Sequence, residues 1–173
     1  MEELAPGIIA ETDFVGVNVG AITTTKGIIA IDVPSFPRDA RSWALTLHRT
    51  HHYAVLTTLL TDFHGDRTLN TRWLNAPIIT HTLTAERLVS YDKRFPGNLL
   101  ESLSQRHPER GRELSNTPIE RPTISFDGTL TLFKGGKEVE LTTVSGPTPS
   151  SIWVYIPEAR ILFVGDTLVV DTH

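Results

Sequence analysis

The first apolar positions of the chain alternate. Val15, Val17 and Val19 are separated by Gly16 and Asn18, and a period of two predicts a strand with one buried face. A polar break at residues 23–26 leads into residues 27–33, an apolar run that suits a strand covered on both faces; the pair predicts a hairpin. The period then changes. Ala40, Trp43, Ala44 and Leu47 fall at i, i+3, i+4 and i+7, with Pro37 just ahead, and predict a helix. A strand at 53–60, a helix at 68–74 and a short strand at 77–81 follow, the alternation of a βαβ region. Residues 84–115 are polar and read as helical pieces interrupted at Pro96-Gly97 and Pro108. Strands resume at 129–133 and 138–144 around Lys134-Gly135-Gly136-Lys137, then at 152–156 and 160–164 around Pro157-Glu158-Ala159. Strands, a βαβ centre and closing antiparallel hairpins predict an α/β (α+β) fold. Two sheets pack face to face with helices outside, in one domain over residues 1–173.

Composition narrows the function classes. A net charge of -4, with Lys and Arg scattered, gives no basic stripe for nucleic acid and no run for an anionic membrane. The absence of cysteine excludes disulfides, thiolate zinc sites and a cysteine nucleophile. The start, Met1-Glu2-Glu3-Leu4, lacks the features of a signal peptide, and no apolar stretch is long enough to span a bilayer. The expectation is a cytoplasmic domain.

The chemistry concentrates in Leu60-Thr-Asp-Phe-His-Gly-Asp-Arg-Thr-Leu-Asn70. Asp62, His64 and Asp66 recur every second residue after an apolar strand, and extended backbone projects such side chains to one side. One imidazole and two carboxylates suit zinc, manganese or iron. On spacing alone, a polar loop with Asp66 as the N-cap of the next helix is the simpler account. Asp166, after Gly165, ends a later strand, and Asp32 ends an earlier one. Buried strand-end acids are costly unless paired or bound to a cation. Taken alone, Asp32 reads as a turn or capping residue.

Five blocks in order resemble the metallo-β-lactamase superfamily: Asn18-Val-Gly-Ala-Ile, Gly27-Ile-Ile-Ala-Ile-Asp32, Leu60 to Arg67, Thr148-Pro-Ser-Ser-Ile-Trp-Val-Tyr-Ile-Pro157 and Ile161-Leu-Phe-Val-Gly-Asp166. The resemblance implies an αββα sandwich and metal-activated attack of water on an ester, thioester, amide or phosphodiester. The family's loop reads H-x-H-x-D-H. Here Asp62 stands at the first histidine, His64 and Asp66 match, and Arg67 replaces the last histidine. Pro147 takes the place of the histidine before Thr148-Pro149, and Asp166 matches the family's metal-bridging aspartate. By this resemblance Asp62, His64, Asp66 and Asp166 hold a divalent metal, zinc first and manganese or iron next. Asp66 also serves catalysis by orienting the attacking water.

The family's fold continues past the position of His173, so the sandwich is expected to be incomplete at the C-terminus. An open apolar edge then favours a homo-oligomer. The rival reading is a degenerate, non-catalytic binding or oligomerisation module in which Arg67 bridges Asp66 and Asp166 in place of a metal. Pro147 favours this rival.

The remaining histidines read as structural. His48, His51 and His52 belong to a solvated helix end, His81 to a hydrogen bond near the site, His107 to the surface, and His173 is not expected to ligate. Trp43, Trp73 and Trp153 read as core. The polar insertion at 91–116 reads as surface helices, with a cover over the site or a dimer contact as the alternatives.

Overall fold

A computed structural model describes residues 1–51, 53–91, 94–114 and 117–168. The expectations for His52 and His173 lie outside the described residues. One sheet carries seven strands in sequence order: β1 (Glu2–Ala5), β2 (Ile8–Glu11), β3 (Val19–Thr24), β4 (Gly27–Ile31), β5 (Val55–Leu59), β6 (Ile78–His81) and β7 (Ile124–Phe126). Strands β1 to β4 pair antiparallel, and β4 to β7 pair parallel. The second sheet is antiparallel, in the order β11 (Ile161–Phe163), β10 (Ile152–Ile156), β9 (Lys137–Thr143), β8 (Thr129–Lys134). The helices are α1 (Pro37–His51), α2 (Gly65–Thr68), α3 (Thr82–Ser90) and α4 (Gly97–Arg106).

Strand β4 is buried along its whole length because it sits between two layers. Ile29 and Ile31 join Ile22, Leu59 and Ile79 against Val139, Leu141, Ile152, Val154 and Ile156 of the second sheet. Ile28 and Ala30 turn the other way, onto Ala40, Trp43 and Leu47 of α1. Each fully buried Ile or Leu here contributes on the order of 1.5–3 kcal/mol. The apolar run and the i, i+3, i+7 stripe are thus two sides of one contact.

The strand expected over 15–19 is instead a turn, with Gly16 at φ 80, and β3 begins only at Val19. Val17 and Val19 bury against the α1 layer and Val15 against a separate cluster around Phe36, so packing explains the valines without a ladder. The helix expected over 68–74 divides into α2 and a 3₁₀ turn at Thr71–Leu74. Asn70 lies between them at φ -125, outside helical geometry, with its side-chain amide donating to the Ser35 carbonyl at 2.6 Å. Strands β1, β2 and β7 were not foreseen. Trp153 is not core: β10 alternates Ile152, Val154 and Ile156 inward and turns Trp153 outward. His107 is half-buried, edge-on to Phe36 with ring centroids 5.7 Å apart, rather than a surface residue. No helix among the described residues is long and apolar enough to cross a membrane.

Candidate metal centre

Three parallel strands end on the same edge of the first sheet, and the candidate residues leave from there. Asp32 follows β4, Asp62 follows β5, and His81 closes β6. Asp166 arrives from the second sheet, in the 3₁₀ turn Gly165–Thr167 after β11. Gly165 has φ 54, and a Cβ there would come within 2.7 Å of Thr61 Oγ1. Glycine at this position lets the turn close onto the β5 loop and lays Asp166 beside it.

The period-two projection holds for Asp62 and His64 and stops there. Asp62 Oδ1 accepts the His64 backbone N–H at 2.8 Å, and Oδ2 lies 3.0 Å from His64 Nδ1. Asp166 Oδ2 lies 3.2 Å from the same Nδ1. Carboxylates only accept, so Nδ1 carries a proton in this arrangement. Asp66 falls outside this trio because α2 begins at Gly65 and rotates the next side chain away. Its Oδ1 is buried, makes no hydrogen bond, and faces Arg67 Nε at 3.7 Å. Asp66 is also not the N-cap. His64 holds that position, in extended conformation and without a side-chain capping bond.

Arg67 is the centre of the cluster, and only 2% of its side chain is exposed. Its Nη1 contacts Asp32 Oδ2 at 3.2 Å and donates to Thr61 Oγ1 at 2.9 Å. Nε lies 3.2 Å from Asp62 Oδ1, and Nη2 pairs with Asp166 Oδ1. The expected bridge between Asp66 and Asp166 is therefore one part of a four-carboxylate ring. Asp32 does sit in a turn, at φ 55, but its carboxylate is buried and accepts the Thr61 N–H at 2.9 Å and hydroxyl at 2.7 Å. That partner role was not anticipated, although an acid ending a buried strand hinted at it. Nothing in the sequence singled out Thr61.

The electrostatics follow from this packing. Hydrogen bonds to Asp166 and Asp62 push His64 up to about 10. The bond from His64, with Arg67 beside it, pulls Asp166 down to about 2. Burial drives Asp32 up to about 6 despite Arg67 and Thr61, and burial raises Asp66 as well. Desolvation works against the Arg67 charge, but Asp32, Asp62, Asp166 and Asp66 outweigh it and hold the guanidinium protonated.

The donor set fits a divalent cation. Asp62, His64 and Asp166 each offer a ligand atom, and these atoms lie within 4.8 Å of one another. Four carboxylates face one arginine and one imidazole, which leaves negative charge over, and Asp66 Oδ1 is an orphaned acceptor at the margin. The other sequence candidates do different things. His81 caps α3 by accepting the Leu83 N–H at 3.0 Å, with Nε2 3.3 Å from Asp127. Pro147 is exposed, and Thr148 is bound up with Ser150 and Ser151 in its own turn. Helix α4 of the 91–116 insertion packs on the ligand loop, with Leu99 where a Gly65 Cβ would be at 2.8 Å.

Two facing sheets with acidic groups and a histidine gathered at strand ends define a class of metal-site sandwich folds. The metallo-beta-lactamase superfamily model matches residues 12–173, and the chain belongs to that superfamily. Among curated proteins none matches it. Solved structures share the fold. A metallo-beta-lactamase from Pontibacter korlensis is 18% identical at TM-score 0.64, over 94% of this chain and 69% of that one. A metallo-beta-lactamase family protein from Thermus thermophilus is 19% identical at TM-score 0.71, over 98% of this chain and 62% of that one. The stereoselective inverting sec-alkylsulfatase of a Pseudomonas species is 17% identical at TM-score 0.65, over 90% of this chain and 29% of that one. At these identities the likeness is one of fold, and this chain spans from under a third to about two thirds of those proteins.

Proposed function

We propose that the protein is a metal-dependent hydrolase of small molecules carrying an ester, thioester, amide or phosphodiester bond. One observation carries the reading: Asp62 Oδ2, Asp166 Oδ2 and His64 Nδ1 converge from two loops on one point, at 3.0 and 3.2 Å. These three residues would hold the ion, zinc first and manganese or iron next, after His64 gives up its Nδ1 proton. When bound, such an ion acidifies a coordinated water and polarises the scissile group. Asp66 lies outside this trio, beside Arg67, and with its carboxyl raised by burial it is the acid left to orient the attacking water. Arg67 and Thr61 hold the carboxylates in place.

A second reading, a non-catalytic binding module, draws on the Arg67 Nη2 pairing with Asp166 and on Pro147 where a ligand would stand. Metal analysis of protein purified without chelator separates the two, with Asp166→Ala as control. Near-stoichiometric zinc, manganese or iron that disappears in Asp166→Ala, together with turnover of chromogenic esters or phosphodiesters, is the expected result. Metal-free protein in both cases would leave the binding module standing.

A further inference from the structure

We infer that the centre takes a single divalent ion, because Arg67 is built in as its second, permanent cation. The inference rests on the metal-binding reading above and deepens it. Asp62 and Asp166 divide their oxygens in the same way. Oδ1 of each lies against Arg67, at Nε (3.2 Å, where Asp62 Oδ1 also accepts the His64 N–H) and at Nη2 respectively, while Oδ2 of each faces His64 Nδ1. One guanidinium thereby fixes both carboxylates about their terminal torsions and leaves one free donor from each on the same side. Those two oxygens and the imidazole nitrogen form one donor set for one ion.

Among the described residues, the guanidinium of Arg67 takes the Oδ1 side of these carboxylates, where a second ion would bind. Asp66 Oδ1 and Asp32 Oδ2, the other acidic oxygens there, also lie against Arg67, at 3.7 and 3.2 Å. A second divalent ion would have to displace the guanidinium from four carboxylates at once. Arginine cannot leave by losing its proton, since it stays charged in proteins. It is also held in place: only 2% of its side chain is exposed, and Nη1 donates to the Thr61 hydroxyl at 2.9 Å. Like charge at this range, out of bulk water, reinforces the exclusion. Arg67 is therefore a positioning residue that sets both the orientation of the ligands and the number of ions they can hold.

Cobalt(II) titration of the chelator-stripped full chain tests this, read by d–d absorption and by equilibrium dialysis with metal analysis. The expected wild-type result is an absorption break and a dialysis plateau at one ion per chain. Arg67→Ala frees two Oδ1 oxygens, and its capacity rises above one ion. Arg67→Lys, the milder change, keeps the charge and stays at one ion. Its cobalt affinity falls roughly tenfold or more, because one ammonium cannot hold both carboxylates as a planar fork does. Two ions bound by wild type, or by Arg67→Lys, would overturn the inference and leave the hydrolase reading intact. No ion bound by wild type would overturn both. Should Arg67→Ala not fold by circular dichroism, the wild-type and Arg67→Lys stoichiometries decide alone.

Discussion

Two arginines anchor two regions of this molecule in different ways. Arg110, in the segment between α4 and β7, gives Nε and Nη2 to the two oxygens of Glu113, at 2.9 and 3.2 Å, and Nη1 to Asp39 at 2.6 Å. It also lies over the Phe36 ring, 4.1 Å from the centroid, with about a fifth of the side chain exposed (19%). Two acids meet one guanidinium and each is hydrogen-bonded to it: a clasp that ties the helical insertion to the first turn of α1. Arg67 meets four acids, its Nε makes no hydrogen bond, and an Asp66 oxygen beside it has no partner. A pairing arranged for stability would resemble the first. The second carries surplus negative charge in a buried place, which is what a cation site requires and what a clasp avoids.

The two regions differ most at Arg67. Removing one partner of a buried ionic network strands the others, a loss of about 3–5 kcal/mol. Arg67→Ala, stripped of metal and unfolded in urea, is expected to lose stability in that range through its midpoint rather than its slope. A loss below about 1 kcal/mol would show that the four acids relax apart freely, and that the cluster is no more strained than the Arg110 clasp.

The buried acids sharpen the contrast through pH. Asp32 has its folded pKa raised to about 6 by burial, against about 4 for an ordinary aspartate. Its contribution to stability is thus fully present below pH 4 and is lost as pH rises through 6, because the folded state binds the proton more tightly. Asp66, raised in the same direction, adds to this. The metal-free protein should therefore lose melting temperature from pH 4 to pH 6, and Asp32→Asn should flatten that slope. A wild-type slope of the opposite sign would mean that Arg67 keeps Asp32 ionised and that burial is not the winning effect.

The sequence carried the frame of this site better than its detail. Period-two spacing after a buried strand located Asp62 and His64, since that rule depends only on extended backbone. It failed at Asp66 because the helix start at Gly65 is a local event that spacing cannot see. Asp32 and Thr61 escaped because their role needs β4 and β5 side by side, a contact between residues 29 positions apart. Trp153 misled for a related reason: a tryptophan on a strand suggests core, yet its neighbours Ile152 and Val154 fix which face it shows. The Asp32–Thr61 miss was tertiary pairing, the Asp66 miss a local helix start and the Trp153 miss a strand's facing, whereas the apolar run of β4 and the stripe of α1 were legible because a single element's pattern encodes them.

The smallest effect belongs to the clasp. Arg110→Ala removes two carboxylate pairs and the guanidinium stacked on Phe36 from a partly exposed place, so about 1 kcal/mol is expected, well under the cost at Arg67. Its pH signature should also run opposite to that of Asp32. The hydrogen bonds from Arg110 lower Glu113 below its ordinary value, so its contribution is present above that value and is lost as pH falls through the lower, folded one. Glu113→Gln should therefore match wild type more closely in strong acid than at neutral pH. Equal losses at both would mean that Arg110 holds the insertion by its packing on Phe36, and that charge contributes little there.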